Sequence, residues 1–127
     1  MNRLKLFFLA LLPAIALISQ APIAAPADDP ERVRFVVIGD AGTGSSAQRE
    51  VAKQLEAAWS KTPFQTVIMV GDNLYGSEDA DDFIEKFQEP YQMLLARGVK
   101  FYAALGNHDD AAVQKAYKPF NMGGERY

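Results

Sequence analysis

Residues 33–42 read VRFVVIGDAG, a β-branched apolar run that stops abruptly at Gly39-Asp40. Two further runs end in the same way, in glycine followed by a polar residue: QTVIMV at 65–70 before Gly71-Asp72, and KFYAAL at 100–105 before Gly106-Asn107. Near-continuous apolar runs of this length are typical of strands buried on both faces of a parallel sheet. The sequence therefore predicts three such strands, at 33–38, 65–70 and 100–105.

Helical patterns fill the two gaps between these strands. The first gap has a capping box at Ser45-Ser46-Ala47-Gln48 and then an apolar stripe at Val51, Leu55, Ala58 and Trp59. The second gap has one helix marked by Phe83, Ile84 and Phe87, and another opened by Pro90 and ended by Gly98. The strand ends Asp40, Asp72 and Asn107 lie 32 and 35 residues apart, the length of a βαβ unit. The order β-α-β-α-α-β predicts an α/β fold or a layered αββα type.

Residues 1–27 have the layout of a secretory signal peptide. Arg3 and Lys5 precede a 13-residue apolar run, Leu6 to Ile18. Ala25-Pro26-Ala27 offers a cleavage site, and cleavage at Ala21 or Ala25 is the alternative. An uncleaved anchor is the alternative, but a membrane-spanning helix needs roughly 20 apolar residues. We therefore expect a signal peptide at 1–27, a domain at 28–127, a secreted or periplasmic location, and no stable membrane anchor after cleavage.

The overall composition excludes several classes of function. The chain has 13 Lys+Arg against 16 Asp+Glu, and its net charge of -3 is not the basic excess that nucleic-acid binding usually requires. It has no Cys, which excludes a disulfide framework, a cysteine zinc site and a thiol nucleophile.

The three strand endings carry side chains that suit metal ions. In an open α/β sheet, ligands bind at the carboxyl ends of the strands, so Asp40, Asp72 and the run Asn107-His108-Asp109 should meet at one rim. Carboxylates, an amide oxygen and an imidazole suit a divalent or ferric ion, and two-metal sites are the usual apparatus for phosphate ester cleavage. A single Gly-Asp after a strand is more often a turn whose Asp caps the next helix. Three such endings at βαβ spacing favour the metal site.

The same residues resemble a known family. The runs 39–42 (GDAG), 71–75 (GDNLY) and 106–109 (GNHD) resemble the first three signature blocks of the calcineurin-like metallophosphoesterases. They are most similar to the purple acid phosphatases of the tartrate-resistant type, because the first block lacks the Asp-x-His of the wider superfamily and the second carries Tyr75. The resemblance implies the N-terminal β-α-β-α-β part of a layered αββα sandwich.

The resemblance also implies a role for each site residue. Asp40 and the Tyr75 phenolate would bind a ferric ion, Asp72 would bridge it to a second metal, and Asn107 would bind that second, divalent metal (Fe, Zn or Mn). His108 would contact the substrate phosphate or protonate the leaving oxygen, and Asp109 would orient His108.

The later blocks of the family pattern, Val-x-x-His and Gly-His-x-His, are missing, since His108 is the single His of the chain. We therefore expect a chain that represents the N-terminal part of a larger domain, holds metal poorly and is nearly inactive alone. The complete domain would hydrolyse small phosphate monoesters. A phosphodiesterase or nucleotidase on the same scaffold, and a non-catalytic α/β binding domain whose carboxylates only cap helices, are the alternatives.

Overall fold

The structure is a computed structural model that describes residues 32–125. The predicted signal peptide at 1–27 and the terminal Tyr127 lie outside the described residues. The strands are β1 (Phe35–Ile38), β2 (Thr66–Val70) and β3 (Lys100–Ala104). The helices are α1 (Ser46–Lys61), α2 (Ala80–Phe83), a π-helix (Ile84–Gln88), α3 (Gln92–Ala96), α4 (Ala111–Ala116) and a 3-10 turn (Lys118–Phe120).

The three strands form one parallel sheet in the order β1-β2-β3. Phe35 pairs with Thr66, and Thr66 pairs with Lys100, so the strands start level with one another. Their carboxyl ends therefore lie along one edge, which we call the rim. This parallel arrangement, with helices in both connections, confirms the predicted α/β fold.

Only one face of the sheet is covered within the described residues. Val67, Met69 and Phe101 are buried against α1, the π-helix and α3, whereas Phe35 and Val37 on the other face are about half exposed, at 54% and 52%. Within this part of the chain the strands are therefore buried on one face, although their apolar runs are typical of strands buried on both. Successive side chains of a strand point to opposite faces, and an unbroken apolar run does not tell which face the helices cover.

Helix α1 begins where its capping sequence predicts. The Ser45 hydroxyl accepts a hydrogen bond from the Gln48 amide, as in a capping box, but the Gln48 side chain does not return to Ser45. It accepts from the Gly44 amide and donates to the Lys86 carbonyl instead. The buried face of α1 consists of Gln48, Ala52 and Leu55. Val51, which the predicted stripe placed inward, is 47% exposed, because the polar but buried Gln48 sets the orientation of the helix.

The second connection differs from the two predicted helices. After α2, the chain widens into the π-helix, where the Glu89 amide donates to the Ile84 carbonyl across five residues at 2.9 Å. Phe83 and Phe87 are buried as predicted, whereas Ile84 is exposed. Pro90 lies in a turn and does not open α3, which begins at Gln92. The extra residue in the π turn keeps the Phe87 ring edge-on to Phe101 and Phe120, in the aromatic centre of the core.

The end of α1 is fastened by Trp59. Its indole N–H donates to the Phe64 carbonyl at 3.0 Å, which links the helix to the turn before β2. The Arg97 guanidinium lies 4.4 Å over the indole ring, at the end of α3. Across residues 32–125, none of these helices has the length and apolarity needed to cross a membrane.

Candidate metal centre

The first two strand endings turn sharply at their aspartates. Asp40 and Asp72 have positive φ angles of 52° and 49°, which non-glycine residues rarely adopt. The Asp40 amide donates to the Gly71 carbonyl at 3.2 Å, so the two turns are joined side by side. Strained backbone of this kind persists where the surrounding structure enforces it, and it is concentrated at functional sites.

Tyr75 brings the two carboxylates together. Its hydroxyl donates to Asp40 Oδ1 at 2.9 Å and lies 3.1 Å from Asp72 Oδ2. Hydrogen bonding to Asp40, followed by desolvation and the bond to Asp72, raises the pKa of the Tyr75 phenol far above its usual value. Three oxygen atoms from two different loops therefore converge at the rim, with one proton held among them.

The loop after β3 also lies beside Asp72 and Tyr75. The His108 amide donates to Asp72 Oδ1 at 3.2 Å, and the imidazole lies 5.2 Å from the Tyr75 ring, measured between ring centroids. Asn107 lies in the same loop and is exposed. The structure thus brings Asp40, Asp72, Tyr75 and His108 together at one rim, with Asn107 beside them.

Asp109 has a different set of contacts from the one predicted. Its carboxylate accepts hydrogen bonds from five donors, none of them in the imidazole: the amides of Asn73, Leu74 and Gly106 and the side-chain amides of Asn73 and Gln114. These bonds join the 72–75 loop to the 106–109 loop. Asp109 therefore binds the backbone of the loop that carries His108, and its role in orienting the imidazole stays a prediction.

Sequence reasoning missed the buried polar residues beneath the rim. Asn73 is fully buried and donates to the Ala104 carbonyl and to Gln114, which is itself buried in α4. Glu78 is also buried, and its carboxylate accepts from the Asp110 amide. Asn73 lies inside the 71–75 motif GDNLY, but nothing local to Gln114 or Glu78 indicates that they belong to the site.

Two glycines allow the loops to approach each other closely. A Cβ atom at Gly42 would overlap the Asn73 carbonyl, and one at Gly106 would overlap the Asp72 carboxylate. Glycine is therefore required at both positions, because a larger residue would push apart the three loops of the rim.

The donor set fits a hard cation in type and supplies part of a ligand shell. Carboxylate and phenol oxygens are hard ligands of the kind that ferric and divalent ions take. Within residues 32–125, however, no three His, Asp or Glu side chains are grouped closely enough to hold a metal ion by themselves. Tyr75 and the exposed Asn107 are the further oxygen donors that the rim offers.

A parallel α/β sheet with carboxylates at the carboxyl ends of its strands defines a class of proteins that bind their ligand at that edge. The chain belongs to the calcineurin-like phosphoesterase family, whose model matches residues 33–127. This places it among the metal-dependent phosphoester hydrolases. The comparison with curated proteins gave no match.

Proposed function

We propose that the protein is a metallophosphatase of the purple acid phosphatase type, which hydrolyses small phosphate monoesters with a ferric ion and a divalent Fe, Zn or Mn ion. The observation that supports this most directly is the position of Tyr75. Its phenol oxygen lies within 3.1 Å of both rim carboxylates, where it can become a third oxygen ligand once its proton is lost.

Each rim residue has a part in this proposal. Asp40 and Tyr75 would hold the ferric ion, Asp72 would bind both ions, and Asn107 would offer its amide oxygen to the divalent ion. When bound, the two ions supply the charge stabilisation and the activated water that phosphate ester cleavage needs.

His108 is placed to handle the proton of the leaving group. Its imidazole is exposed and lies beside Tyr75, so a phosphate ester at the rim can reach it. A ring N–H of His108 donates to the ester oxygen as the bond to phosphorus breaks. Asp109 keeps the loop, and with it the imidazole, in place.

The proposal includes export of the protein from the cytosol. The signal sequence at 1–27 directs the chain to a secreted or periplasmic location, where small phosphate esters are its substrates and nucleic acid is not a partner. Mass spectrometry of exported protein should find an N-terminus between Pro22 and Asp28. Full-length protein in the cytosol would contradict this part of the proposal.

The test uses the 127-residue chain with ferric iron in excess, since a chain with one His should bind iron weakly. A phenolate bound to ferric iron absorbs visible light, so whatever ferric iron the chain binds at Tyr75 should give a visible band, and Tyr75→Phe should abolish it. The matched control is Tyr102→Phe, because Tyr102 is exposed on the open sheet face. Iron bound without a visible band, or a band that survives in Tyr75→Phe, would refute the ligand assignment.

A second measurement addresses the substrate class. Adding zinc to the iron-loaded chain should give slow hydrolysis of p-nitrophenyl phosphate. The diester bis(p-nitrophenyl) phosphate should react more slowly under the same conditions. Faster cleavage of the diester would replace the monoesterase proposal with a phosphodiesterase.

A further inference from the structure

Glu78 is an unusual residue beneath the rim. It has a positive φ angle of 53°, which costs backbone energy for any residue other than glycine, and it is only 5% exposed. A charged side chain is rarely buried to this extent without a partner of opposite charge. The surrounding structure therefore enforces both the backbone and the side chain of Glu78.

The carboxyl group of Glu78 has one bonded and one unbonded oxygen. Oε1 accepts from the Asp110 amide at 2.8 Å, whereas Oε2 is buried and has no hydrogen-bond partner among residues 32–125. The backbone amide of Glu78 donates to Asp82 Oδ2 at 2.9 Å, and Asp82 is paired with Lys86. Glu78 is thus held by its backbone to Asp82, while its side chain binds Asp110 in the loop after β3.

The bond between Asp110 and Glu78 fixes the C-terminal end of the 106–110 loop. Asp109 holds the start of the loop through the Gly106 amide, and Glu78 holds the end through Asp110. Asp110 is also the N-cap of α4, where its carboxylate accepts from the amides of Ala112 and Val113. Asn107 and His108 lie between these two fixed points.

The charges that face Glu78 disfavour its ionised form. Asp109 and Asp110 are the acidic neighbours, Gln114 of α4 is neutral, and the Lys86 ammonium is engaged by Asp82. An ionised Glu78 would be a buried anion with one unpaired oxygen that faces two other carboxylates, an arrangement that disfavours ionisation. A neutral carboxylic acid avoids the buried charge.

We propose that Glu78 is a positioning residue: as a buried, neutral carboxylic acid it holds the Asp110 amide and thereby fixes the 106–110 loop that carries Asn107 and His108. The significance of that loop rests on the proposed function, but the position of the loop can be measured without metal or substrate.

The surroundings of Glu78 raise the pKa of its carboxyl group. Desolvation raises the pKa of Glu78, the Asp110 amide and Gln114 oppose the shift, and the charges of Asp109 and Asp110 add to it, so the net pKa is raised. The folded state therefore binds this proton more tightly than the unfolded state does. The stabilisation is complete below the unfolded pKa of about 4.3 and is lost as the pH rises through the folded value. The loop should be held most firmly in acid.

The experiment follows the metal-free 127-residue chain by NMR between about pH 4 and about pH 8. The carbon-13 shift of the Glu78 carboxyl gives its titration midpoint, and amide hydrogen exchange gives the protection of the Asp110 amide, corrected for the intrinsic pH dependence of exchange. We expect a midpoint above 4.3 and a fall in protection of about tenfold as Glu78 ionises. A midpoint at or below the ordinary value would overturn the proposal.

Two variants test whether the ionisation of Glu78, and not a general change in the stability of the chain, controls the protection of the Asp110 amide. Glu78→Gln keeps an acceptor oxygen for Asp110 but cannot ionise, so protection should remain high and lose its pH dependence. Glu85→Gln, on the exposed side of the π-helix, should keep the wild-type profile. An unchanged pH profile in Glu78→Gln would overturn the proposal, and the wild-type titration decides the matter if that variant does not fold. Failure of iron binding at Tyr75 would leave these outcomes unaffected.

Discussion

At the scale of single residues, Asp72 joins two of the three loops that meet at the rim. Its two carboxylate oxygens accept from different partners, Oδ2 from the Tyr75 hydroxyl and Oδ1 from the His108 amide. It is also one of the two rim aspartates with a left-handed backbone. Asp72 therefore links the second loop to the third, whereas Asp40 links the first loop to the second through Gly71 and Tyr75.

We expect Asp72→Ala to lose both metal ions and all phosphatase activity, because Asp72 is the residue proposed to contact both. Asp40→Ala should lose iron and retain part of the divalent ion. Metal content per chain, measured by equilibrium dialysis against both ions with the wild-type chain as reference, distinguishes the two variants. Normal metal content in Asp72→Ala would show that Asp72 is only a turn residue.

Asp109→Ala should be among the most destabilising changes in the chain. It removes the acceptor of five hydrogen bonds and leaves Asn73 and Gln114 buried without it. We expect a loss of about 3 kcal/mol in the free energy of unfolding, measured by urea denaturation. Asp81→Ala, at an exposed position in α2, should cost less than about 1 kcal/mol. Equal effects of the two changes would contradict the role given to Asp109.

The sequence predicted which residues meet at the rim but not what holds them there. Asp40, Asp72 and His108 could be placed because each follows a strand, and parallel strands end together. Glu78 and Gln114 could not, because their bonds join residues 32 and 41 positions apart. Such bonds depend on how distant side chains are oriented in the folded protein, and the residues next to Glu78 or Gln114 in the sequence do not indicate that orientation.

At the scale of elements, the rim depends on the close packing of its loops. Gly42 lies against the backbone of Asn73 and Leu74, and the Tyr75 amide donates to the Gly42 carbonyl at 2.9 Å. The first loop therefore uses glycine to reach the second loop. The π-helix supports the same region, since Lys86 donates to the Tyr75 carbonyl.

Gly42→Ala should destabilise the chain by about 3 kcal/mol, because the new methyl group overlaps fixed backbone. Gly98→Ala is the matched control. It has open space around it and only a positive φ angle of 80°, so its cost should be about 1 kcal/mol. Thermal unfolding of both variants measures the difference. A Gly42→Ala variant no less stable than Gly98→Ala would mean that the first two loops are not in contact.

The helices were predicted less well than the strands, and the reasons are physical. The burial of Gln48 on α1 overrides the apolar stripe, because its side chain bonds both Gly44 and Lys86. The π-helix replaces an expected α-helix because its wider turn keeps Phe87 directed to the core. Both deviations arise from contacts between elements, which outweigh the local periodicity.

At the scale of the whole molecule, the uncovered face of the sheet is the main departure from an ordinary soluble surface. Phe35, Val37, Val70 and Tyr102 are exposed there, and both edge strands lack a further strand in the described part of the chain. Apolar patches and open edges of this kind promote association.

Val37→Lys should raise the solubility of the chain and reduce its self-association. Since Val37 is half exposed, the change should alter the free energy of unfolding by less than about 1 kcal/mol. Val113→Lys places the same charge on α4, away from the sheet, and should leave association unchanged. Light scattering at several concentrations measures both. If both variants reduced self-association equally, the added charge, and not the open sheet face, would explain the change.

Trp59 provides the chain with an internal optical probe. It is the single tryptophan, and it lies thirteen residues beyond the start of α1, roughly 20 Å along the helix from the rim. Its indole is hydrogen-bonded to Phe64 and covered by Arg97, so its fluorescence should shift to longer wavelength when α1 separates from α3 and β2. Emission from Trp59 therefore reports folding, while visible absorbance at Tyr75 reports iron, and one sample can be followed for both at once.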